Sequence, residues 1–573
     1  MWPVMKTEWL LKHPDPIAVK ALQTDLGCSP VIAAVLVNRN ILTGCEAVNF
    51  LEASLKDFHP PSCIVDMDTA VRRIARAVSN REKILIFGDY DVDGVTAVTL
   101  LLEFLRYAGA DVIYYIPHRT REGYDFQEDH VFGVALPAEV DLIVTVDCGS
   151  SRHDAVQAAL DSGIDVVITD HHTIEALPPA VAVVNPRRRD CGGGCDHLAG
   201  VGVVFSLLIH LRKHLRDIDF WGCRPEPNLK RFCDLVALGT VADMVPMIKE
   251  NRILSRTGLD VINQGHRSGL RALVRMSGIK DRPVDTDDIA FRLGPRLNAA
   301  GRMGHAGLAV ELLTAGSDET ADQMALQLNR MNKKRQEAEK EILDQVTAYI
   351  EKHPHILDRR SIVMAHSNWH EGILGIVASK LVDRFFRPVV LISTRTSIGK
   401  GSGRSIPGIN LHACLKQCAA HLKAFGGHPM AAGLRIQREN IRRFEDKFDR
   451  VVSETGHVDN FSRSLAIDCK LDFEDITGTL LNELERLTPF GEGNPEPLFM
   501  TSDVRVVAHR IVGKQHRKMT LIQAGNPVGT VVEAIQFNID PSERPESFEK
   551  IAYHLRWNRW NGKQTPQILV KES

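Results

Sequence analysis

Three carboxylates at alternate positions open the chemistry of this chain. The segment ILIFGDYDVDG, residues 84–94, runs an apolar stretch straight into Asp89, Asp91 and Asp93, then Gly94 and a helix-like run. In an extended segment, spacing by two puts side chains on one face. Three carboxylates on one face repel one another unless cations lie between them. Oxygen-rich sites of this kind suit Mg2+ or Mn2+. One Asp before a helix reads as an N-cap, but a cap needs one Asp, not three.

Two further apolar runs end in the same manner. LIVTVDCG places Asp147 at the end of one, and VVITDHH places Asp170, His171 and His172 at the end of the next. Asp243, in LGTVADMVP, follows another apolar segment. A lone Asp after a strand is usually a turn residue and a lone His is usually not a ligand. Agreement among three strand ends is what points to a site, because ligands of open α/β sheets bind at the carboxyl ends of the strands. A mixed Asp/His set of this size can hold two divalent ions about 3.5–4 Å apart, which clamp the attacking and leaving oxygens of a phosphoryl group and acidify a bound water. The sequence has no G-x-S-x-G element and no G-x-x-x-x-G-K-[ST] loop, which argues against a serine hydrolase and an ATP motor. Residue chemistry alone therefore reaches metal-dependent phosphoester hydrolysis and stops there.

These side chains need a scaffold. Apolar runs at Lys83–Phe87, Asp111–Ile116, Asp141–Val146, Asp165–Thr169 and Val181–Val184 alternate with helical spacing over Val95–Tyr107 and Asp154–Ser162. Strands apolar on both faces and alternating with helices predict a parallel sheet covered by helices. Residues 1 to about 60 read as helices with an apolar stripe, ending at Pro60-Pro61. Residues 318–353 are rich in Glu, Lys, Gln and Ala and hold no Pro or Gly. They predict one long helix, a natural spacer between α/β regions, which differs little from a plain solvated surface helix. A second α/β region spans about 360–452. After residue 460, strand-like runs at Leu465–Phe473, Leu498–Val507, Met519–Gln523, Ala552–Trp557 and Gln567–Lys571 are separated by Gly-Asn-Pro and Asn-Gly turn signals. They predict a small antiparallel β domain, a barrel.

Composition sets the outer bounds. A chain of 573 residues holds roughly three to four domains. A net charge of −2 excludes a globally basic nucleic-acid binder, so contacts to phosphate must come from local basic patches or metals. Eleven scattered cysteines, an odd number, fit a reducing compartment. The run Cys191-Gly-Gly-Gly-Cys195 reads as a plain loop, since a zinc knuckle needs two more ligands and His197 alone is too few. The opening MWPVMKTEWLLKHPDP shows no basic stretch leading into a long apolar one, and no apolar run reaches about 18 residues, so neither a signal peptide nor a membrane span is expected. A cytoplasmic location is expected.

Asp-His-His after a strand, with the upstream Asp-x-Asp-x-Asp-Gly and Val-Asp-Cys-Gly elements, resembles the DHH phosphoesterase superfamily. FGGHPMAAG at 425–433 resembles its companion DHHA1 domain. The ordered set GDYDVDGVTA, NPR followed by LAGVGVVF, LGTVADMVP, FRLGPRLNAAGRM, GKGSGRS and LTPFGEGNPEPLF is similar to the RecJ family of bacterial exonucleases that degrade single-stranded DNA from 5′ to 3′. The resemblance runs from about residue 45 to the C-terminus. It implies an α/β protein with an N-terminal helical segment (1–60), a parallel-sheet DHH domain (61–317), a connecting helix (318–355), an α/β DHHA1 domain (356–455) and a C-terminal antiparallel β OB-fold (456–573). It implies two divalent metal ions, Mn2+ or Mg2+, held by Asp91, Asp93, Asp147, His171 and Asp243, with Asp89 in or beside that set. His172 would face the scissile phosphate, and Asp170 would orient an imidazole.

The resemblance also implies substrate contacts. Gly401-Ser402-Gly403-Arg404-Ser405 offers backbone N–H groups, hydroxyls and a guanidinium suited to a terminal 5′ phosphate. Arg296 and Arg302 would contact the DNA backbone, and His428 would face the nucleotide in a cleft between the α/β domains. HLRWNRWNGK, residues 554–563, fits either base stacking on an OB-fold or a hairpin with packed Trp residues. Single-stranded-DNA-binding protein and a RecQ-type helicase are the protein partners the family implies. Asp125 stands where the family usually has Gly, an extra negative charge expected near the DNA path. Two other readings compete. A small-substrate DHH phosphoesterase, acting on short oligonucleotides or cyclic dinucleotides, would not need the β domain or the PRLNAAGR segment. A non-enzymatic relative would have lost ligands that are all present here.

Overall fold

The computed structural model describes residues 7–123, 125–222, 224–280, 282–456, 461–513, 515–525, 530–539, 544–560 and 563–573. The chain divides into two compact units. One comprises Trp9–Tyr115, Phe126–Arg292 and Leu465–Ser573; the other comprises Met1–Glu8, Ile116–Asp125 and Leu293–Ser464.

A short strand that the apolar pattern did not announce, Glu8–Leu11 (β1), precedes three helices at Pro16–Leu26 (α1), Pro30–Val37 (α2) and Gly44–Glu52 (α3). Their starts are written locally. Asp15 and Ser29 cap helices that open on Pro, whose fixed φ suits the first turn. Thr43 and Glu46 form a capping box.

The parallel sheet comprises Lys83–Gly88 (β2), Asp111–Tyr115 (β3), Leu142–Val146 (β4), Asp165–Thr169 (β5) and Ala182–Val184 (β6), in the order β3-β2-β4-β5-β6. Every pairing is parallel. Helix Val92–Ala108 (α4) links β2 to β3, and helices Gly200–Asp217 (α5) and Cys233–Ala242 (α6) follow β6. The chain leaves β2 for β3 on one side and resumes on the other with β4. That reversal is a topological switch point, where open α/β sheets leave a crevice beyond the strand ends.

In the other unit, Gly294–Met303 (α7) packs on Asp318–Lys352 (α8). The long helix exists as expected; most of its surface is exposed or half-buried, and one face is covered. Ala321, Ala325, Leu328, Ile342, Val346 and Ile350 form a buried stripe at helical spacing. Its charged majority masked that stripe. A mixed sheet follows, with Ile362–His366 (β7), helix Leu374–Phe385 (α9), Val389–Ser393 (β8), Ile398–Arg404 (β9), Ala424–Gly427 (β10) and Ala431–Gln437 (β11) in the order β10-β11-β9-β8-β7.

The C-terminal strands are Phe499–Val512 (β12), His516–Gln523 (β13), Val531–Gln536 (β14), Ser547–Trp560 (β15) and Lys563–Glu572 (β16). Pairing of β12 with both β13 and β15 closes a ring. Its pairings are antiparallel apart from β14 with β16. The alternating pattern missed β14. Leu22, Ile32, Leu36 and Leu51 of the N-terminal helices share one buried core with Phe473, Phe499, Leu521 and Ile551 of the barrel region. No helix among the described residues is long and apolar enough to cross a membrane.

Candidate metal centre

The three alternate carboxylates do not lie on one extended face. β2 stops at Gly88 and α4 begins at Val92. Asp91 is the N-cap, its side chain accepting from Gly94 N at 3.1 Å. Asp93 sits in the first helical turn. Its oxygens accept from Gly200 N at 2.6 Å and Val201 N at 2.9 Å, the first N–H groups of α5. A helix N-terminus is a favourable place for a carboxylate. Asp89, Asp91 and Asp93 thus fan out from a strand end, a cap and a helix turn, because the helix starts at once.

The other residues come from two neighbouring strands and a helix end. Asp147 follows β4 in the left-handed region at φ 62, a conformation Asp tolerates better than most residues. Asp170, His171 and His172 follow β5. Asp243 is the C-cap of α6 and not a strand-end residue. His171 Nε2 lies 3.2 Å from Asp147 Oδ1, 3.6 Å from Asp243 Oδ2 and 3.8 Å from Asp93 Oδ2. Ligand atoms of three sets, Asp147/His171/His172, Asp93/His171/Asp243 and Asp89/Asp91/Asp147, each lie within 4.8 Å of one another.

Electrostatics tests whether this donor set fits cations. Burial pushes the Asp147 carboxyl well above its ordinary value, and the charges of Asp93, Asp91, Asp243 and Asp89 push it further. Asp93 and Asp243 are raised by burial and by neighbouring carboxylates in the same way. Five carboxylates cannot all ionise there without positive charge between them. His171 is held down at about 3, first by burial and then by the charge of His172, so its imidazole is neutral with a lone pair to give. Among the described residues, Asp147 Oδ1 and His171 Nε2 are buried without a hydrogen-bond partner. Buried lone pairs facing one another across a few ångströms fit hard divalent cations with oxygen and imidazole ligands.

Asp170 and His172 form a different pair. Asp170 Oδ1 accepts from His172 Nδ1 at 2.8 Å and also from the backbone N–H of His171 and His172. Burial would raise Asp170, but the charge and hydrogen bond of His172 outweigh it and hold it down. Burial would lower His172, but Asp170, then Asp89 and Asp243, raise it to about 10. His172 thus lies partly exposed beside the acidic cluster, with the Asp170 carboxylate favouring its protonated form.

Several supporting residues escaped the reading of the sequence. Buried Asn185 donates from Nδ2 to Ser150 Oγ and to the His172 carbonyl, both at 2.9 Å. Ser150 N donates to Asp170 Oδ2 at 3.1 Å. Gly200 and Gly239 leave room for carboxylates. A Cβ on Gly200 would fall 2.5 Å from Asp147 Oδ1, and one on Gly239 would fall 2.4 Å from Thr96 Oγ1 and 2.8 Å from Asp93 Oδ1. All but Ser150 lay inside motifs the sequence displays (NPR, LAGVGVVF, LGTVADMVP), but nothing in residue type marked them. Gly239→Ala is expected to weaken Mn2+ activation at least about 10-fold by displacing Asp93, whereas Gly133→Ala, which meets no atom within 4 Å, leaves it unchanged. Metal titrations of activity check both.

The predicted phosphate contacts lie in the other unit. Gly401–Arg404 is part of β9, between β8 and β11. Its backbone groups serve two ladders and are not offered to a ligand. The side chains are another matter. A Cβ on Gly375, in the first turn of α9, would lie 2.8 Å from Arg404 Nη2 and 3.0 Å from Ser402 Oγ. Both side chains therefore meet a helix N-terminus, which favours anions. Arg302 Nη1 donates to the Gly372 carbonyl just before that helix, at 3.0 Å. Ser405 is buried and bonds Ile409 O. Arg296 Nε bonds Asn329 Oδ1 at 3.1 Å, and His428 lies exposed in the turn between β10 and β11.

Two other expectations change. Asp125 is 7% exposed and sits at φ 75, where glycine is at ease, so it is not a surface charge. In the hairpin of β15 and β16, Arg556 pairs with Glu496 and Asp287, Arg559 pairs with Glu485, and Trp557 packs on the barrel core with Nε1 donating to Asn482. These contacts fit the hairpin with packed Trp residues. The Asn561-Gly562 turn lies outside the described residues.

Comparison with known proteins places this geometry. Residues 83–240 match the DHH family N-terminal domain, 358–454 the DHHA1 domain and 467–572 the RecJ OB domain. The single-stranded-DNA-specific exonuclease RecJ of Haemophilus influenzae is 34% identical over 91% of this chain and 92% of its own length. That of Salmonella typhimurium is 34% identical over 99% of each. The crystal structure of RecJ in complex with Mn2+ from Thermus thermophilus superposes with a TM-score of 0.83 at 28% identity, covering 99% of this chain and 79% of that one. A second structure of that RecJ, in complex with Mg2+, gives 0.77 at 26% identity over 99% and 78%. With these relatives matched along nearly its whole length, the chain belongs to the RecJ family of single-stranded-DNA-specific exonucleases.

Proposed function

We propose that this protein is a metal-dependent exonuclease that hydrolyses phosphodiester bonds of single-stranded DNA from the 5′ end, in recombination and repair. The observation that carries the reading is the convergence of Asp147, His171, Asp243 and Asp93 at the switch point of a parallel sheet. Asp91, Asp93, Asp147, His171 and Asp243 would hold two divalent ions, Mn2+ or Mg2+, with Asp89 beside them. Bound there, the ions supply Lewis acidity and a nucleophilic water at neutral pH.

The chain's own groups do the rest. The His172 imidazolium faces outward to offset charge on the phosphate, and Asp170 fixes its orientation and charge. Asn185 and Ser150 position that pair from behind. Ser402, Arg404 and the N-terminus of α9 take the terminal 5′ phosphate, while Arg296, Arg302 and His428 contact the strand. The work divides among an N-terminal helical segment (1–60), a cutting domain (61–317), a connecting helix (318–355), an end-gripping domain (356–455) and a strand-binding barrel (456–573). The protein acts in the cytoplasm with single-stranded-DNA-binding protein and a RecQ-type helicase.

Single strands labelled at either end, incubated with each metal in turn, test this reading. Release of mononucleotides from the 5′ end is expected. Cleavage of dinucleotide-length substrates alone would replace it with a small-substrate phosphoesterase. Arg404→Ala is expected to reduce the preference for 5′-phosphorylated over 5′-hydroxyl strands about 10-fold, through loss of a charge-assisted contact. An unchanged ratio removes Arg404 from the phosphate site.

A further inference from the structure

The Cys191-Gly-Gly-Gly-Cys195 loop has no part in the chemistry above, and its sequence supplies too few ligands for a metal. The fold adds another. Cys63, more than a hundred positions earlier, brings its Sγ to 3.6 Å from Cys195 Sγ. Cys191 Sγ lies 3.9 Å from the carbonyl oxygen of the same Cys63. All three are free thiols; Cys195 is buried, and Cys63 and Cys191 are partly exposed. The glycines are what bring the loop so close. A Cβ on Gly193 would fall 2.5 Å from Cys63 O and 3.1 Å from its Sγ.

We propose that Cys63, Cys191 and Cys195 form a binding site for one thiophilic divalent cation of the Zn2+ type, separate from the acidic centre. Two thiolates about 2.3 Å from one tetrahedral ion stand about 3.8 Å apart, close to the separation of the Cys63 and Cys195 sulfurs. Cys191 Sγ, which rests against the Cys63 carbonyl, joins as the third ligand once its side chain rotates, on a loop where a Cβ on Gly192 would meet no atom within 4 Å. The partly exposed side of the triad leaves the fourth position to water. On binding, the ion takes three thiolates and releases their protons to solvent. Sulfur ligands select this class of ion over Mg2+ and Mn2+, which prefer the oxygen-rich centre.

The position indicates what the ion would do. Cys195 lies five residues before Gly200, whose N–H holds Asp93. An ion there fastens the 61–63 turn to the segment that leads into α5, and so supports the acidic centre from outside.

Co2+ titration of the full-length reduced protein tests the site, because thiolate ligands give an intense near-ultraviolet charge-transfer band that carboxylate and imidazole ligands do not. One equivalent of Co2+ per chain is expected to give the band, with Zn2+ displacing it and excess Mg2+ leaving it. Cys63→Ser and Cys195→Ser should abolish the band, Cys191→Ser should reduce its intensity at least twofold, and Cys45→Ser, an exposed control outside the triad, should leave it. Circular dichroism shows whether each variant is folded. Wild-type protein that binds Co2+ without the band, or whose Cys63 and Cys195 are found joined as a disulfide after purification under reductant, overturns the proposal.

Discussion

His171→Ala is expected to lower kcat/KM on single-stranded DNA by about 10^3-fold or more, a loss of about 4 kcal/mol of transition-state stabilisation, while affinity for the strand changes less than about threefold. The choice of residue matters. Asp93 and Asp91 each have a second duty, Asp93 to the first N–H groups of α5 and Asp91 as the cap of α4. Removing either carboxylate also loosens a helix start, by about 1 kcal/mol for a lost cap. His171 Nε2 has no such duty among the described residues, yet it lies within 3.8 Å of three carboxylates. Its loss removes a neutral donor from a cluster already crowded with negative charge. Steady-state kinetics together with a binding assay in Ca2+ separate the two effects. Hydrolysis at the wild-type rate would overturn the assignment of the metal centre.

Arg252→Ala is expected to destabilise the protein by about 3–5 kcal/mol, because it takes a charged donor from several buried carbonyls at once. Arg252 lies on the helix Lys249–Gln264 and is 2% exposed. Its guanidinium donates to the carbonyls of Phe50 at 2.9 Å, Leu487 at 2.7 Å, Arg486 at 2.9 Å and Pro489 at 3.3 Å. It also covers the Phe50 ring, 4.1 Å from the centroid. Burial, then the charges of Arg256 and Arg39, lowers it to about 9. One cation thus ties α3 and the segment after residue 485 to the helix that follows α6. Without it, several buried carbonyls lose their donor, each at a cost of about 1–3 kcal/mol before relaxation. A fall in Tm of about 5 °C or more is expected by calorimetry. A change within experimental error would mean that water replaces the guanidinium freely. Lysine should recover only part of the loss, since an ammonium cannot reach four carbonyls in a plane.

Much of the scaffold was legible because it rests on local rules. The apolar runs that end at Asp89, Asp147 and Asp170 are strands buried on both faces, and such strands leave a nearly unbroken hydrophobic signature. An apolar stripe ending at Pro60-Pro61 marked the N-terminal helices. Where the reading went astray, two local signals competed. Asp91 belongs both to an alternating acidic run and to a helix cap, and the helix won. Gly401–Arg404 has turn composition but lies in a mid-sheet strand, held by partners on either side. The long helix shows mostly charge, and its apolar stripe is sparse.

The metal centre was legible as a set of residue types at strand ends, and the order of the motifs narrowed it to a family. Residue type and spacing determined that carboxylates and imidazoles of β2, β4 and β5 would share one sheet edge. Only the tertiary structure decided the rest. It brought Asp243 from the end of a helix into the cluster, lowered His171 through burial and raised His172 through the Asp170 carboxylate, and placed Asn185, Gly200 and Gly239 around the acids. It also carried Cys63 to the Cys191–Cys195 loop. The physical reason is the same in each case. Charge state and coordination depend on which atoms surround a group in space, and residues far apart in the chain meet only when the fold pays the entropy of closing the loop between them.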